Sequence, residues 1–215
     1  MIRLIRNCAH LIVICCAIMQ CVAAAPIQQE QAAPASKGGG ASPPQDKAYV
    51  KVTIPDVEVL DQDGKKLRFY TDLIKGKVVV INFIFTTCAY ICPMQGSSFS
   101  KLQAELGERS GKDIHLISVS TDPLTDTPEK LKAWGGRFGV KRGWTLVTGE
   151  KKQMDTLLLA LTGDTARTGE HSPIAIIGSD EKGVWIRAYG LEGPERMIEI
   201  ISSLLNSGRN EAARQ

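Results

Sequence analysis

Apolar and polar residues alternate through YVKVTIPDVEVLDQDGKKLRFY (49–70) on both sides of Asp63-Gly64. A period of two broken by Asp-Gly predicts a β-hairpin. The run VVVINFIF (78–85) does not alternate, and Asn82 is its one polar interruption. Such a run predicts a strand buried on both faces, in the centre of a sheet with helices on each side. Phe99, Leu102 and Leu106 then recur at helical spacing, and IHLISVS (114–120) predicts the next strand. Thr127 suits a helix cap, Pro128 the first helical position, and Glu129 the positive end of the dipole. Leu131, Trp134 and Phe138 form the buried stripe of that helix. WTLVTG (144–149) predicts a strand and KKQMDTLLLALTG (151–163) a helix. PIAIIGSDEKGVWIRAYG (173–190) has two apolar arms around Asp180–Gly183 and predicts a second hairpin. Pro194 opens a last helix with Met197, Ile198, Ile201 and Leu205 inward.

The order is therefore ββ-β-α-β-α-β-α-ββ-α. Strand–helix alternation with a terminal antiparallel hairpin indicates an α/β fold with a mixed sheet between helix layers. A thioredoxin-like arrangement with an N-terminal hairpin fits best. It places TTCAYICPMQ (86–95) in the turn between a central strand and the helix after it.

The ends of the chain change how its cysteines are read. Residues 1–25 have a basic start at Arg3 and Arg6, an apolar run from Leu11 to Met19, and the small residues Ala23-Ala24-Ala25. That order predicts a secretory signal, with an uncleaved membrane anchor as the alternative, and hence export to the bacterial periplasm. Residues 26–47 are rich in Pro, Gly, Ala, Ser and Gln and predict a flexible linker. The folded domain is expected over 48–207 and a polar tail over 208–215. Of six cysteines, four (Cys8, Cys15, Cys16 and Cys21) lie in the signal, and only Cys88 and Cys92 remain in the body. A pair closing so short a loop constrains the unfolded chain little, so its use is chemical rather than structural. The formal net charge is +3, of which Arg3 and Arg6 supply two. The near-neutral body excludes nucleic acid as the expected partner.

Pro93 suits the first turn of a helix, which puts Cys92 at or just before its N-terminus and Cys88 in the loop above. Unpaired backbone N–H groups and the helix dipole favour a thiolate there. Thiolates are both nucleophiles and soft-metal ligands. The three intervening residues, Ala89, Tyr90 and Ile91, leave room for an ion while still permitting a disulfide. The body has two histidines for a third ligand. His115 lies in a strand and reads as a packed residue. His171, in the polar segment TGEHSP just before a strand, is the better ligand candidate. Met94 is soft enough to bind a metal, but on the new helix it is expected to pack in the core. Two thiolates and an imidazole suit copper: the sulfurs favour Cu(I) and the nitrogen helps retain Cu(II). A closed zinc site would want a fourth ligand.

GKVVVINFIFTTCAYICPM, LISVSTDPLTDTPEKLKAW and HSPIAIIG together resemble the SCO/SenC family of copper-binding, thioredoxin-like proteins, over about residues 50 to 205. The resemblance implies Cys88, Cys92 and His171 as ligands of one copper per chain. It also implies a part in maturing the dinuclear copper centre of cytochrome c oxidase, by delivering copper, by reducing that centre's cysteines, or both. Expected partners are the oxidase subunit that carries this centre, other copper chaperones and a thioredoxin-like reductant. The Asp122-Pro123 turn with Asp126-Thr127-Pro128 matches a segment bordering the family's site, which makes Asp122 a candidate site residue, although a turn plus helix cap explains the segment equally well. Two departures stand out: Ala89 where many members have proline, and Glu170 where aspartate is usual before the histidine. Pro173 stands where thioredoxins keep a cis-proline facing the dithiol.

The alternative is a thiol–disulfide oxidoreductase in which Cys88, nearer the loop exterior, attacks first and Cys92 resolves. A peroxiredoxin-like reading is poor. Those enzymes place threonine or serine three residues before the reactive cysteine, and Phe85 and Ala89 occupy that position here.

Overall fold

The uninterrupted apolar run becomes the central strand β4, Val78–Ile84, buried along its whole length. In this computed structural model the described residues are 48–49, 52–163, 173–189 and 193–212. The expected signal and linker (1–47) and His171 lie outside them. The eight strands of the described residues form one mixed sheet in the order β1-β8-β7-β4-β5-β6-β2-β3. They are β1 Ala48–Tyr49, β2 Glu58–Asp61, β3 Lys66–Arg68, β4, β5 Ile114–Ser120, β6 Trp144–Thr148, β7 Ile174–Ser179 and β8 Val184–Tyr189. Strands β4, β5 and β6 are parallel, with Asn82 opposite Ser118 and Ser118 opposite Leu146. Strand β7 runs antiparallel on the other side of β4.

Parallel neighbours need crossovers, and helices supply them. Helix α1, Ile91–Leu106, joins β4 to β5, and α2, Pro128–Arg137, joins β5 to β6. Both pack on one face of the sheet together with α4, Pro194–Ala212. Helix α3, Lys151–Thr162, and a short π-helical turn, Phe69–Ile74, cover the other face. Alternation along β4 divides the load. Val78, Val80 and Ile84 pack under α1, whereas Val79, Ile81 and Phe83 pack under α3. The expected cap is present: the Thr127 hydroxyl accepts from the Lys130 N–H at 3.4 Å, and Pro128 opens the helix. Gly96 lets α1 lie close to the end of α2, since a Cβ there would sit 2.8 Å from the Phe138 ring.

Four local expectations change. The first hairpin is short, Glu58–Asp61 against Lys66–Arg68, and its alternating run does not continue as strand through Pro55. Ala48–Tyr49 pairs instead with β8 at the far edge of the sheet. Met94 is exposed, not core, because the inward stripe of α1 runs through Cys92, Gln95, Gly96 and Phe99. In α4 the buried residues are Met197, Ile200, Ile201 and Leu204, with Ile198 and Leu205 at the margin, and the helix runs past Ser207 to Ala212.

Candidate metal and dithiol site

Strand β4 ends at Ile84, and residues 85–90 turn the chain into α1, whose cap position is Tyr90. Cys92 is the second residue of the helix and is 3% exposed, whereas Cys88, in the turn, is half-buried. Both are free thiols. The Cys92 N–H donates to the Cys88 Sγ at 3.3 Å, and the Cys88 N–H donates to the Phe85 carbonyl at 3.2 Å. The helix start therefore directs its unpaired N–H groups at Cys88, as helix termini do with anions.

The two thiols are driven apart electrostatically. Burial pushes Cys88 up. Hydrogen bonds from the Cys92 thiol and from the N–H groups of Cys92, Tyr90 and Ile91 outweigh it and leave Cys88 below the ordinary thiol value. Cys92 is pushed up to about 12, first by burial, then by its hydrogen bond to Cys88 and by the nearby charges of Cys88 and Asp126. The Phe85 N–H acts on Cys92 in the opposite direction. Cys88 is thus the more acidic of the two sulfurs and Cys92 the one held as a thiol.

A cavity of about 300 Å³ opens beside the pair, lined by Phe83, Phe85, Cys88, Tyr90, Cys92 and Pro173 among others. Tyr90 and Ile91, which also line it, are exposed, as is Met94 in the first turn of α1. No charged residue occurs between Val78 and Ser100, so the surface presented by the turn is apolar and uncharged.

Polar groups lie under the turn. The Thr86 N–H and hydroxyl both donate to Asp126 Oδ1, at 3.0 and 2.6 Å, and the Ser120 hydroxyl donates to Asp126 Oδ2 at 2.6 Å. One row deeper, the Ser118 hydroxyl donates to Asn82 Oδ1 at 2.6 Å and accepts from the Trp144 indole at 2.9 Å.

The structure brings together Cys88, Cys92 and Pro173. His171 lies outside the described residues, as does the start of the peptide bond entering Pro173. Among the described residues no group of three His, Cys, Asp or Glu side chains could hold a metal ion. Asp122 is a half-buried turn residue: its N–H donates to the Ser120 hydroxyl and its carbonyl accepts from Thr125 and Asp126. His115, at the opposite end of the parallel strands from the cysteines, packs beside Val79, and burial holds its imidazole below the usual range. Asp126 is the carboxylate that reaches the cysteine turn; sequence reasoning included it in the segment bordering the family's site but put forward Asp122 alone. It sits in the same polar segment as Asp122, and nothing in STDPLTDTP distinguishes a buried aspartate from a solvated one.

The model of the SCO1/SenC family matches residues 46–205. A protein of Stutzerimonas stutzeri whose name assigns it copper binding is 29% identical over 136 residues, covering 59% of this chain and 65% of that relative. The chain thus spans less than two thirds of that relative's length. A SCO1/SenC family lipoprotein from Bacillus anthracis superposes with a TM-score of 0.63 at 25% identity, covering 74% of this chain and 98% of the other. BsSco, described as a member of the Sco family of cytochrome c oxidase assembly proteins and as containing a disulfide switch, has the same fold. Its TM-score is 0.62 at 24% identity, covering 74% of this chain and 97% of the other.

Proposed function

The chain belongs to the SCO1/SenC family, and from that footing we propose that it is an exported copper-carrying assembly factor for cytochrome c oxidase. Copper is its cargo, one ion per chain, held by Cys88, Cys92 and His171 and passed by ligand exchange to the Cys/His/Met ligands of the oxidase's dinuclear copper centre. Soft sulfur donors suit Cu(I), and the imidazole adds hold on Cu(II). The supporting observation is a half-buried thiol of lowered pKa beside a buried one of raised pKa, at a cavity that Pro173 also lines. His171 precedes Pro173 by two residues, a separation of at most about 7 Å of extended chain, which supports it as the third ligand. Cys88 faces the cavity and receives the partner's ligands, while Cys92, anchored in the helix, keeps the sulfur pair in register.

The opposed thiols also favour a second reading, reduction of the target's disulfide. The Cys88 thiolate attacks one target sulfur and the other target sulfur leaves as thiolate. Cys92 then gives up its proton and attacks the Cys88 sulfur, which releases the second target thiolate and leaves a Cys88–Cys92 disulfide.

One experiment separates the readings. The copper-loaded protein is mixed with the reduced, metal-free soluble domain of the oxidase subunit, and the metal-free dithiol protein with the oxidised domain. Delivery predicts that the dinuclear centre's visible absorption appears in the first mixture. Absence of that absorption, with free thiols appearing in the second mixture and equally so for His171→Ala, leaves only the reductase.

A further inference from the structure

Asp126 is 1% exposed, one residue ahead of the cap of α2, and none of the ion pairs among the described residues includes it. A carboxylate taken out of water needs charge-assisted hydrogen bonds in compensation. It has three, and their direction is informative. Of these three side-chain bonds, the one from Ser120 is local in the chain. The two from Thr86 reach forty positions back along the chain to the cysteine turn.

Thr86 is the point at which that turn is best controlled. The residue before it, Phe85, holds both cysteines: its carbonyl accepts from the Cys88 N–H, and its N–H is directed at the Cys92 sulfur. Thr86 offers a backbone donor and a side-chain donor, and Asp126 Oδ1 takes both. With two donors on one oxygen, Thr86 can neither slide nor rotate without losing a bond. Ser120 orients the carboxylate from the other side and is itself held by the Asp122 N–H at 3.1 Å. The chain of contacts runs from strand β5, through Asp126, to Thr86 and the backbone that carries both sulfurs.

We propose that Asp126 is a positioning residue for the dithiol: by clamping the N–H and hydroxyl of Thr86 it fixes the turn that holds the Cys88 sulfur against Cys92. The assignment rests on the proposed use of the cysteine pair but on neither copper nor the oxidase. A clamp of this kind raises the effective concentration of one sulfur at the other, so it favours the intramolecular disulfide over the open dithiol.

The test uses the full chain and its Asp126→Ala, Thr86→Val and Thr86→Ser variants. Each is equilibrated with reduced and oxidised dithiothreitol, and the Cys88–Cys92 disulfide is quantified by fragmentation mass spectrometry, with melting temperature measured in parallel. Asp126→Ala and Thr86→Val should shift the equilibrium toward the dithiol by roughly tenfold, the low end of what losing an orienting hydrogen bond does at ligand residues. Thr86→Ser, which keeps both donors, should stay near wild type. If Asp126→Ala does not fold, Thr86→Val carries the test, since it removes one hydrogen bond and keeps the branched shape. A folded Asp126→Ala or Thr86→Val with the wild-type equilibrium overturns the assignment, even if its melting temperature falls, because a merely structural bolt behaves that way. A Thr86→Ser shift as large as that of Thr86→Val overturns it too. Because the readout involves no copper and no oxidase, failure of the metal reading leaves this result unaffected.

Discussion

The two faces of the central sheet are built from alternate residues of the same strands, yet they differ in kind. Under α3, Val79, Ile81 and Phe83 meet Ile117, Val119 and Val147 in an apolar layer. Under α1 and α2 the matching positions include Asn82, Ser118, Ser120 and Thr148, all buried. These polar residues occupy the last rows before the cysteine turn, where Asp126 joins them. Some are incompletely matched: Asn82 Nδ2 and Thr148 Oγ1 find no hydrogen-bond partner among the described residues. Buried polar groups cost stability unless paired. Both faces are apolar cores that carry the fold, but the one under α1 and α2 also gives up part of its stabilisation to hold a reactive turn in place.

The largest effect that sharpens this contrast falls on the apolar face. Ile81 is fully buried, and Ile81→Ala should cost about 2–5 kcal/mol in urea unfolding. The labelling ratio of Cys88 to Cys92 in the folded variant should not move. A changed ratio would break the division between the faces.

Next comes a pH effect on the polar face. The Cys92 pKa is raised from an ordinary 9.0 to about 12 when folded, so the unfolded chain releases that proton first as pH rises. Its stabilising contribution is complete below pH 9 and is lost between 9 and 12, at about 1.4 kcal/mol per pH unit. Cys88 has the opposite sign. Its pKa is lowered, so its contribution is complete above the ordinary thiol value and is lost as pH falls through the folded one. Urea unfolding of the reduced protein and of Cys92→Ser from pH 8 to 11 should converge as pH rises. Parallel curves would show that Cys92 is not held protonated.

The smallest effect tests the unmatched hydroxyl. Thr148→Val replaces a buried, unpartnered Oγ1 with a methyl group and should leave stability within about 1 kcal/mol of wild type, or raise it. A loss of several kcal/mol, about the cost of a broken buried bond, would show that the polar row is fully satisfied.

Much of the fold was legible because period and punctuation agree. The run 78–85 became the central strand, and Thr127-Pro128-Glu129 opened α2 as its chemistry dictates. The cysteine turn was legible from Pro93 and the strand before it, with the helix starting one residue earlier than expected, at Ile91. Three things were not. The pairing of Ala48–Tyr49 with β8 depends on a contact nearly 140 positions away along the chain, which no local period encodes. Met94 was assigned to the core by residue type, but its angle on α1, set by Phe99 and Cys92, turns it outward. Asp126 looked like loop polarity because burial of a charge is decided by the partners that tertiary packing brings, here Thr86 and Ser120.

The central claim, that this turn and His171 together hold copper, is tested most directly by an anaerobic copper titration against competing chelators. Wild type, Cys92→Ser and His171→Ala are compared for Cu(I) and Cu(II). The account predicts one tightly held copper per wild-type chain, a weakened site in both variants, and an altered Cu(II) spectrum in His171→Ala. Full Cu(II) affinity with an unchanged spectrum in His171→Ala would contradict it.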